Sequence, residues 1–270
     1  MVLAAGGAVP VTPVLGVAVG VLLAGAAAVV ALGGFRRWWE VAGAGGRAVV
    51  QLLVVSLVIG QIVDSAPLVA LFVLLMFLVA GRTAGRRITS AASWWWAGVP
   101  IAGGVAPVVA GLLLSEAVPG TGLVVIPLVG QLIGGAMTAT ALAGRRLLEE
   151  LRQRRGEVEA ALSLGMSGRA ARLEIARPAA GQALVPALDQ TRTVGTVTLP
   201  GAFVGMLLGG AGPVQAGVVQ LFVLIALVAV EAIAVLITLH LVARGLLSEQ
   251  DGAGLGVGGT RDSARSSRAR

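Results

Sequence analysis

Asp189 and Arg192 stand three positions apart, one helical turn, so their side chains can pair on one face of a helix, and Thr193, Thr196 and Thr198 extend that polar surface. Two uses are open to such a set: gating or lining a solute's path, or bracing the start of a broken membrane span. Threonines in such helices also bond their own backbone carbonyls. Gln51, Gln61 and Gln131 supply amide oxygens and Met137 and Met206 soft sulfur. A divalent metal ion accepts amide, carboxylate and imidazole ligands, while packing and interhelical hydrogen bonding are the other use for each residue. Glu231 is the sharper candidate, because an ionisable group inside an apolar run costs several kcal/mol unless paired or hydrated. His240, close to the end of the last apolar run, reads as an interfacial residue. These ligand types form no cluster, so the metal site is unknown.

Absent residue types narrow the chemistry further. All 20 basic residues are arginine, and Lys, Cys and Tyr do not occur. A Walker A loop lacks its lysine, Schiff-base and thiolate chemistry lack their nucleophiles, and a single histidine cannot build a multi-histidine metal cage. No nucleophile and base, paired carboxylates or metal motif stands at a recognisable spacing, so the chain does not read as an enzyme. It binds no cofactor of its own on this reading.

The elements that must position these residues are membrane spans. Of 270 residues, 57% are hydrophobic and 12% charged, and the mean hydropathy is +0.93. Such a chain is polytopic and all-α, since about 20 apolar residues in helical form cross a hydrocarbon core of roughly 30 Å with their backbone groups satisfied. Seven spans are expected: Val14–Leu32, Ala48–Val63, Leu68–Ala80, Trp94–Leu114, Leu123–Ala143, Leu184–Leu208 and Val214–Val242. The first is too long for a signal peptide and lacks a basic start, so it reads as retained. Pro127, Pro186 and Pro200 imply kinks or breaks in the fifth and sixth spans. Gly195, Gly201, Gly205, Gly209 and Gly210 include small residues four apart, which allow close helix packing; a hinge is the other use.

Arginines alternate along this layout. Arg36, Arg37 and Arg47 follow the first span, Arg82, Arg86 and Arg87 the third, Arg145 to Arg177 the fifth, and Arg244 the seventh, while Asp64 and Glu116 are the charges of the intervening loops. The positive-inside rule then places the N terminus outside and the C terminus in the cytoplasm. The net charge of +7 reports this topology, not a nucleic-acid partner. Trp38, Trp39 and Trp94 to Trp96 read as an interfacial belt in contact with membrane lipid. Residues 1–247 form the membrane domain on this reading, and residues 248–270, rich in Gly, Ser and Arg, form a disordered cytoplasmic tail.

The one long charged segment between spans is 145–178. Arg145 to Arg155 carries Glu and Arg at helical spacings and continues the fifth span. Ala160 and Ala161 permit close approach of another surface, Gly165 can end the short helix in a left-handed conformation, and Ser167 can cap a second helix through Arg177. Glu159, Ala160, Ala161, Gly165, Ile175 and Pro178 follow a spacing similar to the EAA motif of ATP-binding cassette (ABC) permeases, with Arg177 where that pattern has Leu. The resemblance implies a coupling helix that seats in a cleft of a separate cytoplasmic ATPase.

A longer resemblance covers Gly46 to about Leu246. Gly46–Leu52, Ile126–Gly130, Leu162–Gly165 and above all Asp189–Gly201 resemble the FetB-type permeases, which include bacterial iron-export permeases and plant relatives linked to aluminium tolerance. Departures occur at Gly130-Gln131 and Gly134-Gly135, and at Glu231, where relatives carry small residues. The resemblance implies a homodimeric permease subunit in a bacterial plasma membrane. It also implies a separate nucleotide-binding ATPase that carries Mg-ATP and drives export of a metal, iron; the alternatives are an importer of another small solute, or a passive channel or membrane scaffold. Asp189, Arg192, Thr196, Gln51 and Glu231 are the candidate pathway or gating residues.

Overall fold

Helix starts and stops are written locally in this chain. A computed structural model describes residues 12–34, 38–115 and 120–248. In order it contains α1 (Pro13–Leu32), α2 (Trp38–Ile62), α3 (Ala66–Ile88), a 3₁₀ helix (Ala92–Ala97), α4 (Gly98–Leu114), α5 (Gly122–Gln153), α6 (Arg155–Ser163), α7 (Gly168–Gln182), α8 (Val185–Thr193), α9 (Gly201–Leu208) and α10 (Pro213–Ala243). The expected all-α architecture holds among the described residues. Thr12 caps α1, its side chain accepting from the Leu15 amide, with Pro13 in the first turn, where a missing N–H costs nothing. Arg36, Arg37, Glu116 and the tail from residue 249 lie outside the described residues.

Among the described residues six helical stretches are long and apolar enough to cross a membrane: Pro13–Leu32, Trp38–Ile62, Ala66–Ile88, Ala92–Leu114, Gly122–Gln153 and Pro213–Ala243. The expected third span, Leu68–Ala80, is longer than its apolar stretch, reaching from Ala66 to Ile88. Leu184–Leu208, expected as one span, is not one helix. It breaks after Thr193 because Gly195 takes a positive φ of 80°, Val194 and Thr198 bridge across a tight turn, and Pro200 stands in extended conformation before α9. A proline contributes no amide to an i−4 bond and pushes its predecessor towards extended backbone. By contrast, Pro107 and Pro127 lie inside uninterrupted α4 and α5.

The chain divides into two units, with the cuts falling inside helices. One contains the described residues up to Met76 together with Pro107–Leu132 and Pro186–Ala229. There α1 lies against α2, with Leu23 filling the space beside Gly45, and Ile62, Val69 and Ile126 form a small buried cluster with Ile59, Phe72 and Val125. Gly122 faces the Val63 carbonyl so closely that a Cβ would clash with it. Along α1 no side chain is buried. Exposed residues such as Leu32 and Leu57 belong in hydrocarbon, because water would charge about 25 cal/mol for each Å² of such surface.

The other unit contains Phe77–Ala106, Ile133–Val185 and the described residues from Val230 onward. Its helices meet at glycines. A Cβ on Gly104 would stand 2.6 Å from the Val230 carbonyl oxygen, one on Gly85 would meet the Trp94 carbonyl, and Ile88 covers Gly144. Close approach of backbones replaces the hydrophobic drive that lipid removes. Arg82 and Arg86 lie over the Trp94 ring at 5.7 and 5.3 Å, and Trp95 stacks on Trp96, a cation–π arrangement suited to a membrane interface.

Candidate functional site

The charged segment is a helical hairpin attached to a long helix. Arg145 to Arg152 continue α5 without a break, as their Glu and Arg spacing predicts. At Arg154 the axis resets. Its guanidinium donates to Glu150 and Glu157 and to the Ile175 carbonyl, so one side chain ties α5, α6 and α7 together. Hydrogen bonding from the Arg154 guanidinium, helped by its charge, holds the Glu157 carboxyl below the usual carboxylate range.

Gly165 ends α6 with φ of 88°. The Met166 amide bonds the Ala161 carbonyl and the Gly165 amide bonds the Leu162 carbonyl, a Schellman closure that a residue with a Cβ makes only under strain. Ser167 then caps α7, its hydroxyl accepting from the Ala170 amide at 3.2 Å, and α7 runs to Gln182, beyond the expected Arg177.

The motif residues divide by role. Ile175 is buried with Val158 and Ala171, with Ala161, Leu162 and Leu151 packed around them, so it clamps the two arms. Glu159, Ala160 and Gly165 are exposed, and Pro178 lies exposed inside α7. The Glu159 carboxylate accepts from Arg155 Nε at 2.8 Å. Sequence reasoning missed Leu164, 86% exposed, and Met166, which flank Gly165 at the turn. The available signal was two apolar side chains beside a glycine in a charged loop, a hairpin tip with an uncovered greasy end.

The base of the hairpin is braced by carbonyl contacts. Arg146 donates to the Gln182 carbonyl at 2.6 Å, and Arg172 to the Ala243 carbonyl at 3.5 Å. Ser93 donates to the Ser248 carbonyl, linking the segment after α3 to the end of α10. A cleft of about 470 Å³ between α5 and α7 is lined by Arg145, Arg146, Glu149, Glu150 and Gln182 among others.

Of the candidate pathway residues, three come together. Arg192 pairs with Asp189 at 3.5 Å, and Thr196 bonds the Thr193 carbonyl, whose residue bonds the Asp189 carbonyl in turn. Gln51 is exposed on α2, and Glu231 half-buried on α10. His240 Nδ1 lies 2.8 Å from the Leu236 carbonyl. Among the described residues no group of three or more His, Asp or Glu could hold a metal. Two further polar groups escaped the sequence reading: Gln220 on α10 and Thr140 on α5 bury side-chain polar atoms that lack a hydrogen-bond partner among the described residues.

Apolar helices of spanning length, with a charged hairpin between two of them, define a multi-pass α-helical membrane protein. Residues 14–247 match the family described as Uncharacterised protein family (UPF0014), and the chain belongs to that family. It is 35% identical over 198 residues to UPF0014 membrane protein STAR2 of Oryza sativa subsp. japonica, covering 72% of this chain and 70% of that one. Protein ALUMINUM SENSITIVE 3 of Arabidopsis thaliana is 35% identical over 181 residues, 66% of each chain. The protein named "Probable iron export permease protein FetB" in Escherichia coli is 31% identical over 204 residues, 74% of this chain and 78% of that one. No solved structure matches the chain. With relatives named as membrane and permease proteins, its role is non-enzymatic.

Proposed function

We propose that this chain is the permease subunit of an ABC exporter in a bacterial plasma membrane, working as a homodimer with a separate cytoplasmic ATPase. The observation that carries the reading is the α6–α7 hairpin: Arg154 and Ile175 fix its arms, while Glu159, Ala160, Leu164, Gly165 and Met166 are presented outward at the tip. A rigid hairpin with a small-residue, partly apolar end suits insertion into a groove of another protein. ATP binding and hydrolysis there would move the hairpin, and the hairpin would move α5 and α8, to which its arms connect.

Topology supports the same reading. Arg146 holds the end of α7 and Arg172 the end of α10, so both ends lie beside the hairpin. The 31 residues of α10 extend about 46 Å at helical rise, long enough to cross a membrane. Residues 184–208 are proposed as a seventh, broken crossing between the hairpin and α10, since α8 and α9 carry the apolar run read there from the sequence. Together with the arginine alternation, this supports an outside N terminus and a cytoplasmic C terminus.

A metal ion, most specifically iron, is the substrate that the relationship to the E. coli iron-export protein favours. Gln51 and Glu231 are proposed to line its path, and Asp189, Arg192 and Thr196 to gate it.

Co-purification of the ATPase with wild type and with G165V tests the coupling assignment. Valine at a left-handed position is strained by about 1 to 2 kcal/mol, enough to displace the tip while α5 and the spans stay folded. Loss of at least tenfold in retained ATPase is expected. Wild-type ATPase binding and transport in a folded G165V would contradict the assignment.

A further inference from the structure

The turn between α8 and α9 is non-helical backbone inside the segment read above as the broken crossing, and the inference below rests on that reading. Residues Gly195 to Leu199 are all exposed. Three amides, of Thr196, Val197 and Thr198, converge on the Thr193 carbonyl, while the carbonyls of Gly195, Thr196 and Val197 accept no hydrogen bond among the described residues. Just before them stands the Asp189–Arg192 pair, with side chains 59% and 74% exposed. Hydrocarbon cannot cover such a surface. Irregular backbone and ion pairs at membrane depth persist only against protein or water.

The same face is also apolar. Val197 is 78% and Leu199 60% exposed, so water satisfies the carbonyls and leaves these side chains bare. Only a protein surface suits both. The face continues onto α9. Phe203 packs at Gly217 of α10, and Gly201 and Gly205 fall on the side away from Phe203 by helical phase; a Cβ built on either meets nothing within 4 Å. In α8, Ala187 is buried and Thr191 half-buried, while Asp189 and Arg192 face outward.

We propose that this face, from Asp189 through the turn to Gly205, is the interface with a second copy of the chain. It is self-complementary. A twofold axis along the membrane normal keeps the two segments parallel and sets each Arg192 about 4.5 Å in height, three residues of helical rise, from Asp189 of the second copy. That is the same offset it spans to its own Asp189. The free carbonyls of the turn face the Thr198 hydroxyl of the other copy, since Thr193 and Thr196 already donate to carbonyls of their own chain, and the two glycine stripes let the α9 backbones approach.

The absence of cysteine makes the test direct. Particle mass in nanodiscs is measured first, then disulfide cross-linking of T196C, G205C and, on the exposed face of α1, V21C. A two-copy particle that cross-links at T196C and G205C and not at V21C is the expected result. A one-copy particle contradicts the homodimer reading itself. A two-copy particle that cross-links only at V21C, or in which T196C is merely labelled by water-soluble maleimide, overturns this interface and leaves the homodimer standing.

Charge exchange separates pairing between copies from pairing within one. D189R and R192D alone each lower the dimer fraction at least tenfold, and co-expression restores a mixed dimer of the two variants. The mixed dimer re-creates both pairs between copies and neither pair within a chain. Wild-type dimerisation by each single variant, or no mixed dimer, overturns the proposal.

Discussion

Ile175 shows how a single side chain can hold the proposed coupling hairpin together without touching a partner. It is 7% exposed and packs with Val158 and Ala171 where the two arms of the hairpin meet, and the Arg154 guanidinium bonds its carbonyl. Truncation to alanine removes three methyl or methylene groups from that cluster and leaves a cavity, a change that costs roughly 2 to 5 kcal/mol in well-packed sites. I175A is therefore expected to leave the spans folded and to loosen α6 from α7. Protease cleavage between Glu157 and Gly168 should quicken at least tenfold while the unfolding temperature of the membrane part holds. Unchanged cleavage would show that the clamp lies elsewhere. Glu159 and Ala160 are different in kind: exposed, with Glu159 held by Arg155 in a surface pair worth at most about 1 kcal/mol to stability. Their value lies in what they present.

At the scale of elements, the α8–turn–α9 break sets how the chain passes from hairpin to α10. Gly195 at φ of 80° carries it, and G195A should cost about 1 to 2 kcal/mol of thermal stability because a Cβ crowds the carbonyl in the left-handed region. An unfolding temperature equal to wild type would mean that the turn relaxes freely. Local chemistry made much of the architecture readable in the sequence. Ser167 announced a cap, Gly165 a left-handed stop, and the Glu and Arg spacing after Arg145 an extension of α5; each is a short-range effect in which a few neighbours decide the conformation. Pro186 and Pro200 announced a break in the sixth expected span, but its place at Gly195 was harder to see. Hydropathy averaged over Leu184–Leu208 hides a run of Thr and Val with weak helix preference around Gly195, ahead of Pro200. At Pro127 there is no break: α5 runs through it, since packing can hold a helix through one lost hydrogen bond. Of the candidate site, the Asp189–Arg192 pair was legible as i,i+3 spacing. The sorting of motif residues into clamp and tip was not, because burial depends on how α6 and α7 pack. Gln220 was missed for the same reason: its burial without a partner is a tertiary fact.

For the molecule as a whole, the account joins three properties: a multi-pass membrane body, a rigid charged hairpin at the end where arginines collect, and no lysine from which a phosphate-binding loop could be built. Together they suit the proposed transporter that borrows its energy from another chain. ATP-dependent flux measured in proteoliposomes tests this most directly. The purified chain is reconstituted with and without its ATPase, and the vesicles are supplied with ferrous, zinc or manganese ions. The account predicts iron movement only when both the ATPase and hydrolysable ATP are present, at least tenfold above the rate with a non-hydrolysable analogue. Iron crossing the membrane at the same rate through the chain alone, without ATP, would make it a channel and contradict the central claim.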